Sequence, residues 1–139
     1  MSQEPTTPHP VELLRRAVDA LSRGDLDSAL RLYAPNCVWE METGTPEGAA
    51  AIRSFLEDWT GPYEEFEMEL EQNLDLGNGV GFAVIRQRGR LIGSSGEVQM
   101  RLAFVGDYAD GLLVWGRSYT ETQINEARAD AERLAEQRG

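Results

Sequence analysis

The apolar positions of this chain follow two different periods, and the switch between them divides it. From Pro10 onward Val11, Leu14, Val18 and Leu21 recur at steps of three and four with Glu12, Arg15, Arg16, Asp19 and Arg23 between them, which predicts an amphipathic helix. Gly24 ends that helix, and Asp25 is placed to cap a second one carrying Leu26, Ala29, Leu30 and Tyr33, which Pro35-Asn36 stops. A short strand is expected over 37–43, then a loop over 44–48. A third helix follows with Ile52, Phe55, Leu56 and Trp59 on one stripe, closed by Gly61-Pro62.

Beyond residue 62 the period becomes two: Phe66, Met68 and Leu70 alternate with Glu65, Glu67, Glu69 and Glu71. Strands are expected at about 79–91, 96–107 and 112–121, separated by Gly77-Asn78-Gly79, Gly93 to Gly96 and Asp110-Gly111, all punctuation of hairpin type. Gly81 and Gly93 in or beside these strands suit a strongly curved sheet. A last helix, about 123–137, sets Ile124, Ala127, Ala131 and Leu134 on one stripe. Helices followed by an antiparallel meander make an α+β domain over 11–137, preceded by a proline-rich leader over 1–10 with little to bury.

Composition narrows the chemistry. The 139 residues carry 24 acidic and 13 basic side chains, a formal net charge of -11, which disfavours nucleic acid and membrane surfaces as partners. Cys37 is the one cysteine and His9, in the leader, the one histidine, so a disulfide framework, a His-rich metal site and a Ser-His-Asp triad in the body are all excluded. No apolar run approaches a membrane span and the leader has no signal-like core, so the expected location is cytoplasmic. The acidic comb from Glu65 to Glu71 reads as a solvated strand face, because carboxylates two apart on an open strand do not converge on one cation. Gly77 to Gly81 precedes a strand where a phosphate loop needs a helix, and no cofactor is expected.

The run from Ala20 to Glu40 has a Gly24-Asp25 junction, a Tyr33-Ala34 ending and then Val38-Trp39. With Gly48 to Phe55, Asp110-Gly111 before an apolar strand and Tyr119-Thr120-Glu121 before the last helix, it resembles the SnoaL-like branch of the nuclear transport factor 2-like, or ketosteroid isomerase-like, superfamily. The resemblance implies a curved antiparallel sheet wrapped around helices as a cone with a central pocket. It also implies a homodimer through the outer sheet face, formed by Met100, Leu102, Phe104, Trp115, Arg117 and Tyr119. Members include ketosteroid isomerases, polyketide cyclases, limonene-type epoxide hydrolases and proteins of no known catalysis, so function has to come from the pocket.

Isomerase chemistry uses a carboxylate base with a tyrosine and a protonated aspartate as donors. Matching the motifs puts Ala17, Met41 and Ala103 at those positions, none able to exchange a proton. The hydrolase Asp-Arg-Asp set falls on Val84, Arg86 and Ser118 and is broken as well. The family register turns Trp39, Met41, Phe55, Trp59, Phe82, Val84, Arg86, Arg101 and Ser118 inward, a ligand-binding set for a small, largely hydrophobic molecule.

Arg86 and Arg101 on neighbouring strands could clamp a carboxylate, or form ordinary ion pairs with the surplus acids. Simple alternation on strand 96–107 turns Met100, Leu102 and Phe104 inward instead and Arg101 away, so two registers stand open. Two functions follow: a non-catalytic pocket protein, or a cyclase, isomerase or hydrolase acting on a polyketide- or terpenoid-like substrate. The second would use Arg86 or Arg101 with a water, or Glu40 or Glu42 as base if a bulge turned one of them inward.

Overall fold

A computed structural model describes residues 9–139, so most of the expected leader lies outside the described residues. Helix α1 spans Pro10–Ser22, with Pro10 in its first turn, where a missing N–H costs nothing. Gly24, at φ +73, turns the chain, and the Asp25 carboxylate accepts from the Ser28 amide at 3.1 Å to cap α2, Leu26–Leu30. Strand β1 then covers Tyr33–Glu40 and helix α3 Ala49–Thr60. Four strands follow, β2 at Tyr63–Gly77, β3 at Val80–Leu91, β4 at Glu97–Ala109 and β5 at Leu112–Thr120. A short 3-10 turn, Glu121–Gln123, leads into α4, Ile124–Arg138.

The five strands form one curved, unclosed sheet in the order β1-β5-β4-β3-β2, antiparallel throughout except for β1 beside β5, which is parallel. This is the expected α+β cone. Asn78 and Gly79 carry φ 58 and 83, and Asp110 and Gly111 carry φ 55 and 78, the paired positive values that two-residue hairpins require.

Two elements differ from their sequence pattern. Tyr33 fits a helical stripe but opens β1, paired with Leu113; Pro35 and Asn36 lie inside that strand, not after a helix. The pairing with β5 is irregular between Tyr33 and Val38, and an edge strand with an irregular ladder is where a proline is tolerated. The acidic comb is the first half of a fifteen-residue strand. Between Leu70 and Gln72 the pairing with β3 shifts, leaving Glu71 as a bulge, and the alternation inverts: Phe66, Met68 and Leu70 face the inner core, whereas Leu74 and Leu76 face the outer one.

There are therefore two cores on one sheet. The inner one packs α1, α2 and α3 into the concave face around Val18, Leu21, Trp39, Ile52, Leu56, Ile85 and Phe104. The outer one packs Ala127, Ala131 and Ala135 of α4 over Val80, Phe82, Val84, Ala103, Val105 and Tyr119. A hydrogen bond and an ion pair fasten α4: the Tyr119 hydroxyl donates to Asp130 at 2.9 Å, and Arg138 pairs with the buried Asp107.

Candidate functional site

The concave face carries an aromatic web centred on Trp39. The rings of Tyr33, Phe55, Trp59 and Phe104 meet it edge to face at centroid distances of 6.1, 5.1, 6.4 and 5.8 Å, the arrangement their quadrupoles favour. Phe66 continues the web against Trp59 at 5.6 Å. Glycine makes the room: a Cβ on Gly116 would stand 2.6 Å from the Phe104 ring. Both interior indoles are satisfied. Trp39 Nε1 donates to Ser118 Oγ at 2.7 Å, and Trp59 Nε1 donates to Gln87 Oε1 at 3.0 Å. The fully buried Gln87 in turn donates from Nε2 to the Tyr63 hydroxyl at 3.2 Å.

Between α1 and the sheet lies a cavity of about 30 Å³. Leu13, Leu14, Ala17, Val18 and Leu21 of α1 form one wall; Trp39, Met68, Ile85, Leu102, Phe104 and Leu113 of the sheet form the other. Leu32, Tyr33, Trp59, Tyr108 and Ser118 complete it. The volume suits one or two waters and is an order of magnitude below the roughly 300 Å³ at which small-molecule pockets begin, so a larger occupant needs these side chains to move apart.

No carboxylate, imidazole or guanidinium lines the cavity among the described residues. Burial pushes the Tyr33 and Tyr108 phenols upward, so both stay protonated and neutral. Burial also pushes the nearby Cys37 thiol up to about 11, a small inert hydrophobe at neutral pH.

Of the nine side chains expected inside, Trp39, Trp59 and Ser118 line the cavity, and Met41 and Phe55 pack against the same core behind it. The remaining four are corrected. Phe82 and Val84 lie in the outer core beneath α4. Arg86 and Arg101 also face outward and share one acid: Arg86 Nε donates to Glu71 Oε2 at 2.8 Å and Arg101 Nε to Glu71 Oε1 at 2.9 Å. The register from simple alternation is the one observed.

The expected dimer set divides with it: Leu102 and Phe104 belong to the inner core, whereas Trp115 and Tyr119 belong to the outer one, where Arg117 lies over the Tyr119 ring at 5.0 Å. Among the positions matched to isomerase groups, Ala17 lines the cavity, Ala103 sits under α4 and Met41 starts the turn to Gly44. Glu40 accepts from Trp115 Nε1 at 2.7 Å, and Glu42 stands in the exposed turn.

The bulge at Glu71 has a chemical result. By adding a residue to β2 it aims one carboxylate between two guanidinium groups, which hold its carboxyl below the ordinary range. Arg88 with Glu69 at 3.0 Å, and Arg90 with Glu64 and Glu65 at 2.9 and 3.2 Å, extend the lattice over the outer face. A depressed carboxyl stabilises the fold above its unfolded pKa, and that contribution disappears as pH falls through the folded value. Glu71→Gln should therefore lower the thermal midpoint at pH 7 in low salt, with the difference from the parent shrinking at pH 3 and in molar salt. An equal loss at pH 3 and pH 7 would show that the charge is not what matters.

A family model for the SnoaL-like domain matches residues 14–115, well over half the chain. The chain belongs to the SnoaL-like family. No functionally curated protein matches this SnoaL-like chain in sequence. Among solved structures its fold is similar to Bal32a from a soil-derived mobile gene cassette, at TM-score 0.72 and 20% identity, over 89% of this chain and 96% of that one. It is also similar to a protein of ketosteroid isomerase-like fold from Catenulispora acidiphila, in complex with trimethylamine, at TM-score 0.70 and 12% identity over 89% and 95%. TerC co-crystallised with polyporic acid matches at TM-score 0.70 and 12% identity over 89% and 98%. At these identities the likeness establishes the fold of the SnoaL-like domain. No helix among the described residues is long and apolar enough to cross a membrane.

Proposed function

We propose that this SnoaL-like domain takes a small, uncharged, largely apolar molecule into its interior and holds it without acid–base catalysis. The lining carries the reading: apolar and aromatic side chains, three neutral hydroxyls, and among the described residues no group that titrates near neutral pH. General acid–base catalysis relies on such a group. The earlier carboxylate-bearing ligand loses its support, since Arg86 and Arg101 are spent on Glu71 outside the cone. The enzymatic alternative loses its named residues for the same reason, together with Glu40 and Glu42. That two structural neighbours hold small molecules, trimethylamine and polyporic acid, supports ligand binding as the use of such an interior.

A homodimer would have to form on what the outer face still offers, the Arg–Glu lattice and the outer side of α4; the lone buried thiol suits a reducing cytoplasm.

The test is a thermal-shift comparison of cyclohexanone, cyclohexanecarboxylate and trimethylammonium from pH 6.5 to 8, where the last two are fully ionised. The neutral molecule should raise the midpoint by several degrees at high millimolar concentration, evenly across that range, while the two ions leave it unchanged. Stabilisation by the carboxylate alone, or a stabilisation that titrates within the range, would overturn the proposal.

A further inference from the structure

One hydrogen bond inside the cone has its direction decided by chemistry. An indole N–H can only donate, so in the 2.7 Å contact Trp39 is the donor and Ser118 Oγ the acceptor. The serine proton is then left over. Among the described residues it has no acceptor, and Ser118 is one of the residues that line the cavity. Accepting from the indole polarises the O–H and makes it the better donor. Tyr33 and Tyr108, whose hydroxyls are also without partners among the described residues and stay protonated, line the same cavity. The interior therefore presents an apolar surface with unspent donors.

We infer that the occupant carries a hydrogen-bond-accepting oxygen, the carbonyl of a small cyclic ketone or lactone, and that Ser118, positioned by Trp39, selects for it. This rests on the interior being a ligand site, as proposed above. A hydrocarbon of the same shape fills the apolar space and leaves the Ser118 proton without an acceptor, which costs affinity. A carboxylate accepts the bond but brings a charge into a lining with no counter-ion. A carbonyl meets both conditions.

Matched probes separate the cases. Cyclohexanone and methylenecyclohexane differ as C=O against C=CH₂ at nearly constant shape, and their dissociation constants can be read from quenching of the tryptophan emission. The parent chain should prefer the ketone by about tenfold, the value of one neutral hydrogen bond. In Ser118→Ala the preference should fall to within about twofold, because the ketone loses its bond and the alkene no longer strands a hydroxyl. Because that variant leaves the Trp39 indole unpaired and could fail to fold, the double variant Trp39→Phe with Ser118→Ala removes both partners and should show the same loss of preference. If neither probe binds the parent, the interior is not a ligand site and the reading beneath this one fails. If both bind alike, the interior takes ligands but the carbonyl assignment is wrong. A tenfold preference surviving in Ser118→Ala would move the selecting donor away from Ser118.

Discussion

Trp39→Ala should cost this domain about 3–5 kcal/mol, the range for deleting a large buried aromatic, against a total stability of about 5–15 kcal/mol for a domain of this kind. Trp39 is 6% exposed, meets four other rings edge to face and donates to Ser118, so its removal opens a void where the α3 side chains and the sheet meet. Urea unfolding followed by far-UV circular dichroism reads the loss directly, and the thermal midpoint should drop by about 10 °C or more. Trp39→Phe keeps a ring in the web and gives up only the indole bond, so it should cost less than half as much. An alanine variant within about 1 kcal/mol of the parent would mean that the web is a consequence of the packing around it and not its centre.

Removal of α4 is expected to have the larger consequence. A chain ending at Gln123 exposes Val80, Phe82, Val84 and Val105, each worth about 1.5–3 kcal/mol when fully buried. It also strips Asp107 of Arg138 and Tyr119 of Asp130. The sum reaches the whole stability of the fold, so the truncated chain should be recovered aggregated, or self-associated through the bared face. The point change Ala131→Glu asks the same question more gently, placing a carboxylate at a fully buried position against the sheet. Analytical ultracentrifugation of both variants decides the matter. A truncated chain that stays monomeric with native near-UV dichroism would sink the claim that α4 is part of the core.

That outer layer also explains where sequence reasoning about the site stopped. Turns were legible because their chemistry is local: Asn78-Gly79 and Asp110-Gly111 adopt the left-handed pair whatever surrounds them. The alternation of Met100, Leu102 and Phe104 was legible too, and it describes the true inner face of β4. On β3 the pattern has no information to give. Phe82, Ala83, Val84 and Ile85 are all apolar because one face meets α4 and the other the inner helices, so a register one residue off looks equally good. The family resemblance chose the wrong one and took Arg86 and Arg101 inward with it.

Glu71 was illegible for a different reason. Nothing in Glu69-Leu70-Glu71-Gln72 punctuates the comb, and the bulge exists only in the pairing with β3. Tyr33 fits the helical stripe before it, and only Leu113, far along the chain, draws it into a strand. Tyr33, Tyr108 and Ser118 come to line one cavity only through the pairing of β1, β4 and β5.

The parallel contact of β1 with β5 also sets an order of events. Residues 33–40 find their partners at 113–117, and the Trp39–Ser118 bond closes a span of 79 residues. Contacts that distant are slow, because the entropy of closing the intervening chain is lost before any pairing repays it. During synthesis α1, α2, α3 and the β2–β3–β4 meander can form while β5 is still inside the ribosome, but the interior cannot. Until the last strand emerges, Trp39 and its neighbours have only one wall to lean on, and the nascent cone is an open apolar surface that chaperones would recognise.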